Sequence, residues 1–155
     1  EKNVKAVLEK LREFGVSGKQ IAIEGPDQRE IYLESYNKVD IALDPFPFTG
    51  GATSAEGLWM GVPLITLSGS SMVARQGVSI LTNTGLQEWI ANNEQEYIDK
   101  AISFSSDVKK LNKIRKGLRK KVLSSPLFDT ARFSSNLENA LTQLWQKYSN
   151  ANKDL

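Results

Sequence analysis

Residues 40–69, DIALDPFPFTGGATSAEGLWMGVPLITLSG, constrain the chain more than any other stretch. The apolar run Ile41-Ala42-Leu43 breaks at Asp44-Pro45. A loop carrying Pro45, Pro47, Gly50 and Gly51 follows, and the small hydroxyl residues Thr53 and Ser54 then open a helix that Gly61 stops. Pro63 resets the backbone, and Leu64-Ile65-Thr66-Leu67 reads as a second strand. Strand, glycine loop, helix and strand make a βαβ unit. The glycine pair lets backbone approach a ligand with no Cβ in the way. The N–H groups of Ala52 to Ala55 lack partners inside their own helix and form a ready anion site, suited to a nucleotide diphosphate.

The remaining pattern extends this unit. Val4, Val7, Leu8, Leu11 and Phe14 form a helical stripe that Gly15 can end. Ile21-Ala22-Ile23 reads as a short strand, and a helix is predicted from about Asp27 to Asn37 with Asp27 near its N-cap. Residues 39–43 form the next strand. After Gly69 a helix runs through Val73, Gln76, Gly77 and Ile80, with Gly77 pointing to close packing. Leu86 to Ile90 is a strand or a helical turn. Asn93 and Glu96 match a capping box for the following helix. Asp107 starts another, and a last helix carries Phe133, Leu137, Leu141, Leu144, Trp145 and Tyr148. Trp59, Trp89 and Trp145 all sit in apolar patterns and read as core. Strands alternating with helices predict a parallel α/β sheet, with a helical final third.

At 155 residues, 40% hydrophobic and 25% charged, the chain has the makeup of a single globular domain able to bury a core. It has no cysteine and no histidine, which removes thiolate metal sites, the commonest zinc ligand and any Ser-His triad. No Asp-x-Asp pair suggests a metal. No apolar run reaches the roughly 18 residues needed to span a membrane. The chain opens on Glu1 and reads as a piece of a longer protein.

Several residues are candidates for chemistry, each with a plainer role beside it. Thr53 and Ser54 can join backbone donors around phosphate oxygens, or one of them can simply cap the helix. Glu56 can accept from ribose hydroxyls, or just favour the helix dipole. Arg29 and Arg75 can pair with phosphate, although lone arginines more commonly make surface ion pairs. Asp44 can be catalytic or an ordinary turn opener. Eight basic residues lie between Lys109 and Lys121. They are read as a solvated helix face in preference to an RNA site, because no aromatic interleaves with them.

Three separated motifs go beyond local physics. NKVDIALDPFPFTGGATSAEGLWMGVPLITLSG, ARQGVSILTNTGL and SSPLFDTARF, with the closing LTQLWQKY, occur in one order. Together they resemble the O-GlcNAc transferase family, more narrowly its bacterial tetratricopeptide-linked members and SPINDLY-type proteins, from about Ile21 to Tyr148. The resemblance implies the C-terminal lobe of a metal-independent, cytoplasmic GT-B glycosyltransferase, which needs no cofactor beyond its nucleotide-sugar donor. On that likeness Gly51, Ala52 and Thr53 receive the diphosphate, with Ser54 beside them, and Glu56 takes the place of an acidic ribose ligand. Asp27, Arg29 and Tyr32 fall at the base side. The sugar donor stays open among UDP-GlcNAc, UDP-glucose and GDP-fucose. The acceptor would be a Ser or Thr hydroxyl of a protein, bound through regions outside this chain.

The sequence departs from the family where Gly51-Ala52 replaces residues with side-chain donors and Tyr32 replaces a histidine. The lysine that steadies the leaving diphosphate and the first two strands of the lobe are not in the sequence. In an order 3-2-1-4-5-6 those strands are central. Their lack predicts a rearranged sheet or a homo-oligomer, and a chain inactive by itself. The competing readings are a non-catalytic nucleotide- or protein-binding module and, last, an RNA-binding domain.

Overall fold

A computed structural model describes residues 2–151. The chain divides into two compact units, Glu1–Tyr32 and Leu33–Leu155.

In the first unit, helix α1 spans Lys2–Glu13 and ends at Gly15, whose φ of 80° is the left-handed conformation glycine favours. Ser17 and Gln20 close a reciprocal capping box around a single 3₁₀ turn, Gly18–Gln20. The strand expected at residues 21–23 does not form. Ile21 is extended, with φ −119° and ψ 125°, but no described strand edge pairs with it. Extended backbone becomes a strand only where a neighbour accepts its ladder. Helix α2, Arg29–Ser35, also starts two residues later than expected. Gln28 supplies the first carbonyl, to Tyr32 N, while the Asp27 carboxylate accepts from Gln28 N at 2.9 Å instead of capping the turn.

The second unit carries the core. Strands β1 (Ala42–Leu43), β2 (Leu64–Leu67) and β3 (Ile90–Ala91) form a parallel sheet in that order. Ala42 lies opposite Leu64 and Leu43 opposite Ile65; Thr66 lies opposite Ile90 and Leu67 opposite Ala91. The parallel α/β expectation holds, and the segment 86–90 is both things the pattern allowed: a 3₁₀ turn, Gln87–Trp89, running into β3. Helices α3 (Ala52–Trp59), α4 (Gln76–Asn83) and α5 (Glu94–Ser106) pack on the sheet, and α6 (Val108–Leu123) packs on α3 and α5. Leu58, Ile65, Leu81, Leu86, Trp89, Leu118 and Val122 are fully enclosed between them.

Local sequence sets the helix ends. Met60 closes α3, and Gly61 at φ 81° turns the chain into β2. Asn93 accepts from Glu96 N at 2.8 Å, but the Glu96 carboxylate returns to Asn92 N instead of Asn93 N, so the expected box is shifted by one residue. Asp107 caps α6 by accepting from Lys110 N.

Three basic residues of α6 serve the fold. Arg115 pairs with Asp40 and donates to the Gly61 carbonyl; Arg119 stacks 4.5 Å from the Trp59 ring; Lys121 donates to the Gly85 carbonyl. Trp59 is accordingly half-buried, while Trp89 is wholly core. The expectation for Trp145 fails. Helix α7, Thr130–Ala151, has no buried residue, and Trp145 is 67% exposed. An amphipathic pattern marks which side of a helix is apolar but does not supply the element that covers it.

Candidate functional site

The site is built on Asp44, the residue after β1. Its side chain is 1% exposed. Oδ2 accepts a 2.6 Å hydrogen bond from Thr66 Oγ1, and Oδ1 accepts from Gly50 N at 2.8 Å and Ser54 Oγ at 3.4 Å. Burial pushes the carboxyl above its ordinary range, and the bonds from Thr66, Gly50 and Ser54 pull the other way. The Asp44 carbonyl accepts from the Tyr97 hydroxyl at 2.9 Å. Burial, with Asp44 nearby, pushes that phenol up to about 12. One side chain thus ties β1 to β2, to the glycine loop and to the first turn of α3.

The rest of the loop is held as firmly. Buried Thr49 donates to the Val73 carbonyl at 2.9 Å and accepts from Gly77 N at 3.3 Å. A Cβ on Gly77 would lie 2.2 Å from Thr66 Oγ1 and 2.3 Å from Asp44 Oδ2, which is the close packing its place in a helix suggested. A Cβ on Gly50 would lie 2.2 Å from Ser54 Oγ. Gly50 is therefore required by protein packed against it, in addition to any ligand in front.

This frame presents the start of α3 at the carboxyl end of β1. Gly51 is the N-cap, and no side chain caps the turn. The first intrahelical-type bond is Ala55 N to the Gly51 carbonyl, so the N–H groups of Ala52, Thr53 and Ser54 have no acceptor within the helix. Ala52 and Thr53 are exposed. The Thr53 carbonyl accepts from Tyr36 at 3.2 Å, which pins the turn from the other side. Glu56 is half-buried on the next turn, three residues after Thr53 and therefore its neighbour on the helix surface.

The structure brings Gly51, Ala52, Thr53 and Glu56 together as the sequence suggested. Ser54 departs from that reading: its hydroxyl points inward to Asp44, so it steadies the loop instead of facing a ligand. Arg75 donates to Ser68 Oγ at 2.9 Å and to the Gly69 carbonyl, tying down the turn after β2. Asp27 and Arg29 are exposed and Tyr32 is half-buried, all in the first unit. A cavity of about 160 Å³ adjoins Thr53, Ser54 and Tyr36, and another of about 460 Å³ runs along α4 past Gln76. A larger one, about 720 Å³ between Lys38–Ile41 and Ser105–Arg115, lies at the amino end of β1, away from the exposed amides. Donor chemistry at the carboxyl edge weighs more than cavity size, because ligands of open parallel sheets bind at that edge.

Sequence reasoning underweighted Asp44 and missed Thr66, Tyr97 and Gln76. Thr66 had one visible signal: it is the polar residue in an otherwise apolar strand, LITL.

The fold and this edge define a Rossmann-like α/β unit with an uncapped helix start at the carboxyl end of β1. The sequence model for Glycosyl transferase family 41 matches residues 1–137, and the chain belongs to that family. The Petunia hybrida protein named probable UDP-N-acetylglucosamine–peptide N-acetylglucosaminyltransferase SPINDLY is 42% identical over 117 residues, which is 76% of this chain and 13% of the relative. The Arabidopsis thaliana relative of the same type named SEC is 35% identical over 132 residues, 84% of this chain and 14% of that protein. A mutant Thermobaculum terrenum O-GlcNAc transferase structure superposes with a TM-score of 0.88 at 35% identity, covering 95% of this chain and 28% of that one. The chain thus spans about an eighth of the length of the curated relatives. No described helix is long and apolar enough to cross a membrane.

Proposed function

We propose that this chain is the nucleotide-sugar-binding part of a protein O-glycosyltransferase that moves GlcNAc from UDP-GlcNAc to Ser or Thr hydroxyls. The observation that carries the reading is the uncapped start of α3, with Ala52 and Thr53 exposed behind a loop locked by Asp44. Membership of the family and the names of the relatives support the choice of donor and acceptor. A cytoplasmic setting and linkage to helical repeats belong to the same reading, on the resemblance alone.

The chemistry asked of this part is stabilisation of a leaving group. As the acceptor oxygen bonds to the anomeric carbon, the bond from that carbon to the β-phosphate oxygen breaks, and negative charge gathers on UDP. The acceptor proton passes to a base outside this chain. Fixed N–H donors and the positive end of α3 face the developing charge without having to reorganise. They supply this without requiring a metal. Glu56, in the adjoining turn, holds the ribose.

Calorimetric titration with UDP tests the reading. Saturable binding in the micromolar range, lost in Glu56→Ala, is expected; a wild-type chain giving no binding heat at high UDP would overturn it. The chain by itself is expected not to turn over UDP-GlcNAc, because the acceptor side lies elsewhere. We also propose that the chain self-associates through β1, which pairs only with β2 among the described strands and leaves Leu43 57% exposed. Light scattering that returns the monomer mass at all concentrations would refute this.

A further inference from the structure

Gln76 begins α4, and its side chain crosses to Gly51, the cap of α3. A Cβ built on Gly51 would meet Gln76 Oε1 at 2.8 Å and Cδ at 3.9 Å. The carboxamide therefore fills the space that a side chain at position 51 would use. It is half-buried, borders the groove along α4, and makes no hydrogen bond among the described residues. Its neighbour Arg75 is committed to Ser68 and Gly69, whereas the Gln76 side chain reaches Gly51, the residue before the exposed Ala52 and Thr53.

A carboxamide carries two N–H donors and one acceptor, and a half-turn of the amide exchanges which of them faces outward. Next to an anion the donor side is favoured, and a hydrogen bond to a charged oxygen is stronger than a neutral one. We propose that Gln76 is a donor-binding residue: its N–H bonds a diphosphate oxygen of the nucleotide received at α3, in the space left by the missing side chain at Gly51. The assignment rests on the nucleotide reading above. It adds a contact from a second helix, so α3 and α4 grip the same group.

The test is UDP titration of the 155-residue chain and three variants. Gln76→Ala is expected to weaken UDP about tenfold, the usual worth of a hydrogen bond to a charged group. Gln76→Glu keeps the size and replaces the donor with an anion, so a larger loss, about a hundredfold, is expected. Gly51 has φ −110°, outside the left-handed region, and what a methyl there would meet is the flexible end of Gln76. Gly51→Ala should therefore displace the carboxamide and weaken UDP about as much as Gln76→Ala, and the double variant should lose no more than either single one. Wild-type affinity in Gln76→Glu would overturn the assignment, as would losses that simply add in the double variant. Absence of UDP binding by the wild-type chain would instead remove the nucleotide reading, and this contact with it.

Discussion

The Thr66 hydroxyl donates a 2.6 Å hydrogen bond to Oδ2 of Asp44, joining the centre of the sheet to the residue from which the glycine loop departs. Both side chains are buried, at 0% and 1% exposure. Removing the donor leaves a carboxylate oxygen enclosed without its partner. Thr66→Val, which keeps the shape, is expected to cost about 2 kcal/mol in urea unfolding. A loss within experimental error of zero would mean that Thr66 fills space and does not hold Asp44.

Gly77, packed on that contact, and Gly117, away from it, respond oppositely to alanine. A methyl on Gly77 would strike Thr66 Oγ1 and Asp44 Oδ2, both well inside van der Waals distance. Gly77→Ala is expected to destabilise by about 2 kcal/mol. Gly117 lies within α6 with nothing within 4 Å of its built Cβ. Gly117→Ala is expected to stabilise by about 0.5–1 kcal/mol by restricting the unfolded chain and favouring the helix. Thermal melts of the two variants, side by side, check both signs.

Titration of the carboxyls supplies a third prediction. Asp44 sits above its ordinary 3.8 mainly through burial, so its folded form holds the proton longer than the unfolded chain does. Its contribution to stability is complete below 3.8 and is lost as pH rises through the folded value. Half-buried Glu96 has the opposite sign: backbone Asn92 first, then Lys100 and the Asn92 side chain, lower it from 4.5. Its contribution is complete above 4.5 and is lost as pH falls through the folded value. Asp44→Asn should therefore steepen the loss of stability on acidification, and Glu96→Gln should flatten it. Tyr97, raised to about 12, adds a component lost between its ordinary 10.0 and that value. Urea midpoints measured across pH would show these slopes; identical profiles for wild type and Asp44→Asn would contradict the assignment.

Much of this frame was legible in the residue order. The β-branched and leucine-rich run at 64–67, the breaks at Gly61 and Pro63, and the glycine pair before Ala52 give β2, α3 and the loop directly. Those features are local, and local sequence controls them. The role of Asp44 was not legible, because its donors lie 6, 10 and 22 residues away and meet only in the folded chain. Residues 21–23 had the composition of a strand but no described edge to join. Trp145 had a core-like pattern on a helix whose apolar side stays exposed. In each case the missing information was which element stands opposite. Gln76 escaped notice for the same reason: its significance comes from Gly51, 25 positions earlier, reached across the gap between two helix starts.

The central claim is that backbone N–H groups at the start of α3 receive a diphosphate, and amide-resolved NMR during UDP titration tests it most directly. The largest shifts are expected at Ala52 and Thr53, with Gln76 following and Gly117 unmoved. UDP that binds while the Ala52 and Thr53 amides keep their free-state positions would contradict the account.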